Sequence, residues 1–464
     1  MRRDATTMRK VLTLVLVATA TTADETIPGV RLTRDDTDTT HTFADLWHDA
    51  GEQQDWVVET RRELHRTPEL LFDEKQTAAK IAQVLTALQV NFTTGWAKNT
   101  KRAELAAKGF VSGEGGTGIV AQIGSGKEPC VLLRADIDGL PIHENVDSPW
   151  KSTEDGRMHA CGHDGHTAML LGAAAVLKRR EAEIKGTIRL IWQPAEEGGA
   201  GGKRMVEEGV LSMEPKPQAA FGFHQWPFLP LGSIGGRPGP MLAATELFDI
   251  VVSGVGGHAA MPHHVKDPIV AAAHVVTALQ AIAARETDPL SSAVVSVTMF
   301  HAGDAYNVIP QGARIGGTLR SLSTEGLQSL RDRVDAVVHA TALAHRCNAS
   351  IAWSADAYPP TMNDPELWKW ATEIAAPAST ENEVRVIDPT MGGEDFAFYA
   401  QEIPSVFLAL GQGAKSFAPE PGLEFDTTVT VHNGRFVLHE DLLRRGVALH
   451  AHLALSYLDR AASP

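Results

Sequence analysis

Cysteine is scarce. Cys130, Cys161 and Cys347 are the only three in 464 residues, so the chain is not a disulfide scaffold and at least one thiol stays unpaired. No long basic stretch accompanies the formal net charge of −15, which argues against a charged patch for nucleic acid or for an anionic membrane surface. Small polar molecules are the expected partners. Apart from Val11 to Ala20, which is too short to span a bilayer, no apolar run reads as a transmembrane segment. Internal repeats and low-complexity blocks are also missing.

What is present begins with a leader. Arg2, Arg3, Arg9 and Lys10 precede the apolar run, and small residues follow up to Ala23. That is the order of a signal peptide over residues 1–23, so an exported protein is expected. The remaining length exceeds what one hydrophobic core usually supports, and two domains are expected.

From residue 24 to 242, helical and strand-like segments alternate, as in an α/β domain with a largely parallel sheet. Ala78, Ile81, Ala82, Leu85 and Leu88 recur at helical spacing, whereas Cys130 to Ala135, Thr187 to Trp192 and Ala219 to Phe223 are short buried-strand candidates. Each strand run leads into residues able to do chemistry: Asp136 and Asp138, then Glu196 and Glu197, then His224. Ligands gather beyond the carboxyl ends of strands in such sheets. Residues 95–118 read as a surface excursion. Residues 243–357 change to strand, helix, strand, strand, helix, strand, the ferredoxin-like βαββαβ order of a lid inserted into the first domain. Asp267 and Pro268 start its first helix, whose apolar face reads as Ile269, Ala273, Val276, Leu279 and Ile282. Residues 358–464 return to the first domain.

The densest chemical signal is His159 to His166, just before an apolar helical run. A thiolate at Cys161 and an imidazole at His163 are good ligands for zinc-like ions, and the glycines permit a tight turn. A catalytic cysteine paired with a histidine would use the same residues. Glu196 and Glu197 are adjacent carboxylates after a buried strand, so one can ligate metal while the other serves as a general base. His224 and His432 supply further donors, although either alone is more often structural.

The segments Arg134 to Ile142, His159 to His166, Gln193 to Glu197, Gly256 to Ala260, Asn307 to Pro310, Gly317 to Arg320 and Gly393 to Phe396 occur in one order. In this the chain resembles the aminoacylase and carboxypeptidase family of metallopeptidases, in the amidohydrolase branch that includes hippurate and auxin-conjugate hydrolases. The resemblance spans residues 55–458 and implies a zinc-exopeptidase-like α/β catalytic domain carrying the lid.

It further implies two divalent ions, zinc or manganese, on Cys161, His163, Glu197, His224 and His432, with Cys161 bridging. Glu196 matches the general base. His258 matches the lid histidine that supports the oxyanion, supplied in some relatives across a dimer interface, so a homodimer is expected. Asn307 and Arg320 match positions that hold the substrate carboxylate, and Asp136 and Asp164 match supports that orient ligands. The implied reaction is hydrolysis of a small N-acyl amino acid; the alternative is a dipeptidase or carboxypeptidase acting on short peptides. Residues 95–118 depart from the family's shorter connection.

Overall fold

The computed structural model describes Val30 and residues 41–462; the leader, residues 1–23, lies outside them. Before the lid come β1 (Asn91–Lys98), β2 (Gly115–Gly124), β3 (Cys130–Asp136), β4 (Thr187–Gln193), β5 (Ala219–Pro230), β6 (Ile234–Gly236) and β7 (Gly239–Leu242). The lid region holds β8 (Ala244–Ser253), β9 (Gly257–His258), β10 (Ala293–His301), β11 (Val308–Ile309), β12 (Gly312–Ser321) and β13 (Asn348–Trp353). After it come β14 (Thr361–Asn363), β15 (Val384–Val386) and β16 (Ser405–Gly413).

Eight strands form the large sheet in the order β1-β2-β4-β3-β5-β16-β6-β15. Its centre, β4, β3, β5 and β16, is parallel. Every residue of β3 and β4 is buried, which is why these strands read as apolar runs rather than alternating ones. Val131, Leu133 and Ala135 face one apolar cluster, shared with the helices His163–Arg179 and Asp441–Ala462. Leu132, between them, points to the opposite face, into a cluster with Phe396 and Phe407.

The sheet as a whole is mixed rather than largely parallel. β1 and β2 pair antiparallel, β2 runs antiparallel to β4, and β6 runs antiparallel to β16. For β1 and β2 the reason lies in residues 95–118: their two ends extend into these strands, which pair directly, with the six-residue helix Arg102–Ala107 in the connection. An antiparallel pair needs no crossover connection.

The lid sheet runs β10-β12-β8-β13, antiparallel throughout, the order of the ferredoxin-like arrangement. Helices Pro268–Ala281 and Thr324–Ala344 pack on it. Asp267 caps the first by accepting from the N–H groups of Ile269 and Val270, and Ser323 caps the second by accepting from Gly326. Leu327, Leu330, Val334, Val337 and Val338 form the buried face of the second helix.

The buried face of the first helix is Ala271, Ala272, Val275, Leu279 and Ile282; Ile269 and Ala273 are exposed. In a helix this rich in Ala and Val almost any stripe reads as apolar, so periodicity could not pick the face. Residues 268–286 form the one helix, among the described residues, long and apolar enough to cross a membrane by length and composition. Here that apolarity packs the lid.

Candidate metal centre

Parallel pairing sets the carboxyl ends of β3 and β4 beside the middle of β5, which runs past the expected end at Phe223 to Pro230, with Asp136 opposite Gln193 and Arg134 opposite Gly222. The chain leaving β3 and β4 delivers Asp138 and the Glu196–Glu197 loop to one edge, and β5 brings His224 there. Cys161 and His163 arrive from the loop before helix His163–Arg179. Gly162 between them has φ of 85°, and a Cβ there would sit 2.8 Å from Gln225 Cγ. Glycine therefore makes the turn that lets both ligands face the same point.

Two donor sets result, Cys161 with His163 and His224, and Cys161 with Glu197 and His432; within each, the ligand atoms lie within 4.8 Å of one another. Cys161 Sγ is 3.3 Å from His224 Nε2. Glu197 Oε1 lies 3.0 Å from His432 Nε2, and the buried His163 Nε2 has no hydrogen-bond partner. Orphaned buried polar atoms each cost about 1–3 kcal/mol, and a cation removes that cost. One thiol, three imidazoles and a carboxylate are a zinc-like donor set. The residues fit two divalent ions with Cys161 common to both.

The surroundings fix which ring nitrogens are free. His163 Nδ1 lies 3.2 Å from Asp138 Oδ1 and His224 Nδ1 lies 2.6 Å from the Gln225 carbonyl, so each ring keeps Nε2 for the site. Asp138 Oδ2 also accepts from the Glu197 N–H at 3.0 Å, tying two ligands together. His166 is occupied at both nitrogens, by Asp136 Oδ1 at 2.6 Å and by the Gln225 N–H at 3.0 Å.

Of the two aspartates expected to orient ligands, Asp136 lies beside His163, its Oδ2 3.8 Å from Nε2, and neither is hydrogen-bonded to a donor of the two sets. Asp136 bonds His166 and Arg134, and Asp164 bonds Arg61 at 2.7 Å and His65 at 2.8 Å. Asp138 does the orienting. Its position two residues beyond Asp136, past the end of β3, was the available signal.

Glu196 is buried, and its Oε1 accepts from the Asp395 N–H at 3.3 Å. Burial, then the Glu394 and Glu197 carboxylates, push its carboxyl well above the usual range. Burial, then Glu197 and Glu196, likewise push the Cys161 thiol up.

Two features hold this machinery that sequence reading passed over. The Tyr358 hydroxyl donates to the Glu196 carbonyl at 2.8 Å and accepts from the N–H groups of Gly198 at 3.1 Å and Ala200 at 2.9 Å. Arg134, fully buried, bonds Asp136 at 2.8 Å, Asp395 at 2.7 Å and Glu394 at 3.0 Å. The Gly393-to-Phe396 segment thus pairs with Arg134, both inside motifs whose roles were not legible. Tyr358 lies in no motif, and nothing in the sequence marks it.

Above the donors opens a cavity of about 260 Å³, lined by Glu196, Glu197 and His432 and, on the lid side, by Thr245, Leu247 and Arg320. Arg320 Nε donates to Thr318 Oγ1 at 3.0 Å and the guanidinium has no carboxylate partner among the described residues. His258 and Asn307 are not brought to this cavity. They sit together at the exposed β9–β11 tip, where the Ala259 N–H donates to the Asn307 carbonyl at 3.0 Å and the Ala260 N–H to His258 Nδ1 at 3.1 Å. Residues 95–118 are not a mere surface excursion, since Leu105, Lys108 and Phe110 line the cavity as well.

Similarity to known proteins agrees with this geometry. The description "Peptidase family M20/M25/M40" matches residues 132–456. The chain is 40% identical over 408 residues to the IAA-amino acid hydrolase ILR1-like 4 of Arabidopsis thaliana, covering 87% of this chain and 86% of that protein. It is 36% identical over 405 residues to the N-acetylcysteine deacetylase of Bacillus subtilis, covering 87% and 97%. A solved Bacillus subtilis structure, described as a dinuclear metal binding peptidase from the M20 family, superposes with a TM-score of 0.68 at 34% identity, covering 88% of this chain and 98% of that one. Matched over most of its length by the family and by these relatives, the chain belongs to peptidase family M20/M25/M40.

Proposed function

We propose that the protein is a metal-dependent amidohydrolase that cleaves N-acyl amino acids to a carboxylic acid and a free amino acid. The observation that carries this is one cavity lined by Glu196, by Glu197 and His432 of the Cys161-linked donors, and by a guanidinium without a carboxylate partner, Arg320. The names of the relatives, an IAA-amino acid hydrolase and an N-acetylcysteine deacetylase, support the substrate class.

Two divalent ions, held by Cys161, His163, Glu197, His224 and His432, would supply a water of lowered pKa and polarise the scissile carbonyl. Arg320 presents a planar fork that pairs with the substrate carboxylate. Glu196 takes the proton of the attacking water and passes it to the leaving amine. The dipeptidase reading asks for a carboxylate to receive a free α-ammonium. The cavity's Glu246 and Asp356 are already paired, with Arg331 and with Lys203 and Arg204. The acyl reading is the one the cavity favours.

A homodimer is part of the proposal. His258 stabilises the tetrahedral oxyanion in the site of a second copy, and the exposure of Tyr306, Val308 and Met261 around the β9–β11 tip supports a covered surface there. Export is likewise proposed from the leader. The test is metal analysis of the purified protein together with hydrolysis of hippurate, indoleacetyl-amino acids, long-chain acyl-amino acids and unacylated dipeptides. Two metal equivalents and turnover of acylated substrates are expected. Turnover confined to dipeptides, or activity that survives complete chelation, would overturn the reading.

A further inference from the structure

Residues 99–114, between β1 and β2, are tied down on several sides. The Asn99 side chain donates to the Gly113 carbonyl at 2.8 Å, and the Gly113 N–H donates to the Leu71 carbonyl at 2.9 Å. The Glu208 carboxylate accepts from the N–H groups of Ala97 and Lys98, both at 2.7 Å, at the base of the segment. Leu105 is buried in the cluster around Phe72. Phe110 lies against Gly198, where a Cβ would stand 3.1 Å from its ring. The segment is therefore held in place and rests on the loop that carries Glu196 and Glu197 through Phe110, and Lys108 is placed in the cavity wall.

The charges around that wall do not balance pairwise. Of the carboxylates lining the cavity away from the metal donors and the base, Glu104 is bonded by Lys101 at 2.9 Å, Glu246 by Arg331 at 3.0 Å, and Asp356 by Lys203 and Arg204. Lys108 feels Asp249 and Glu246 only at longer range, and Asp249 is itself held by Arg314 at 2.9 Å. Lys108 and Arg320 are thus two cations lining one small cavity, each without a carboxylate partner among the described residues. A half-buried cation with no counterion favours an anion brought by the ligand.

We propose that Lys108 forms a second anion subsite, so that the enzyme prefers N-acyl amino acids carrying two carboxylates, one on Arg320 and one on Lys108. This rests on the amidohydrolase reading above. The second carboxylate can come from an acidic amino acid or from the far end of the acyl group, and matched pairs separate the two. N-benzoyl-glutamate against N-benzoyl-glutamine varies the amino-acid side; N-succinyl-alanine against its terminal amide varies the acyl side.

The expected result is a kcat/KM about tenfold higher for the charged member of one pair, the scale of a partly exposed charge-assisted contact. Lys108→Met should abolish that preference while leaving the neutral member within about twofold, and Lys108→Arg should retain it. Calorimetric binding of the same pairs to metal-loaded Glu196→Gln protein, with and without Lys108→Met, reads the subsite without turnover. Equal values for both members of both pairs, or a preference that survives Lys108→Met, would overturn the subsite. Failure of the wild type to hydrolyse any acyl amino acid would instead count against the proposed reaction, and the calorimetry would still decide on Lys108.

Discussion

Tyr358→Phe removes a single oxygen and keeps the ring, whose packing on Phe398 (centroids 5.7 Å apart) is undisturbed. That oxygen satisfies three backbone groups of the loop from Glu196 to Ala200. The Glu196 carbonyl and the Gly198 N–H keep their bond to each other at 2.7 Å, so the buried Ala200 N–H is the group that loses its partner. An orphaned buried N–H costs about 1–3 kcal/mol, and the loop is destabilised by about that much.

The loop also has strain to release. Ala195 and Ala200 hold φ of 56° and 53°, left-handed values that cost on the order of 1 kcal/mol or more each. Relaxation would shift Glu196, and misplacement of a catalytic group by about 1 Å costs up to about a hundredfold in rate. The expected outcome is a kcat between about tenfold and a hundredfold lower. KM should change by less than about threefold, because Arg320 is untouched. Metal should stay bound, since Asp138 still holds the Glu197 N–H. Steady-state kinetics with metal analysis on the same preparation measures all three. A kcat within twofold of wild type would show that the hydroxyl does not position the base.

Glu197→Gln should lower metal content and activity together, whereas Glu196→Gln should keep its metal and lose about a hundredfold to ten-thousandfold in kcat; the reverse pattern would exchange the two roles. Arg320→Ala should cost acyl-amino acids far more than their amides, and equal losses on both would refute a carboxylate anchor. If His258 acts across a dimer, mixing inactive His258→Ala and Glu196→Gln proteins should restore some activity once subunits exchange, and demonstrated exchange without recovery would reject that arrangement. His450 is buried against Phe223, ring centroids 4.0 Å apart, and burial pushes its pKa down to about 3 from an ordinary 6.5. The unfolded chain takes up a proton in that window and the folded chain does not, so stability should fall as pH drops from about 6.5 toward 3. His450→Leu should flatten a urea-midpoint series over that range, and an unchanged slope would place the acid sensitivity elsewhere.

Local chemistry wrote much of this protein into its sequence. β3 and β4 were legible because strands buried on both faces carry mostly apolar runs, and the lid helices because Asp267 and Ser323 cap them. Donor types and tight turns made Cys161, His163 and the Glu196–Glu197 pair visible as candidates, and the order of motifs carried the family. What the sequence could not show were relations between distant segments. Asp138 rather than Asp136 orients His163 because of how the chain leaves β3, and Tyr358 holds the Glu196 loop from 162 residues away. Lys108 lines the cavity because its segment packs on that loop through Phe110, and His258 and Asn307 do not line it because both sit at the exposed β9–β11 tip. Sequence patterns report burial and backbone geometry residue by residue; which side chains meet depends on the register and direction of strands far apart in the chain, and only the packed tertiary structure sets those.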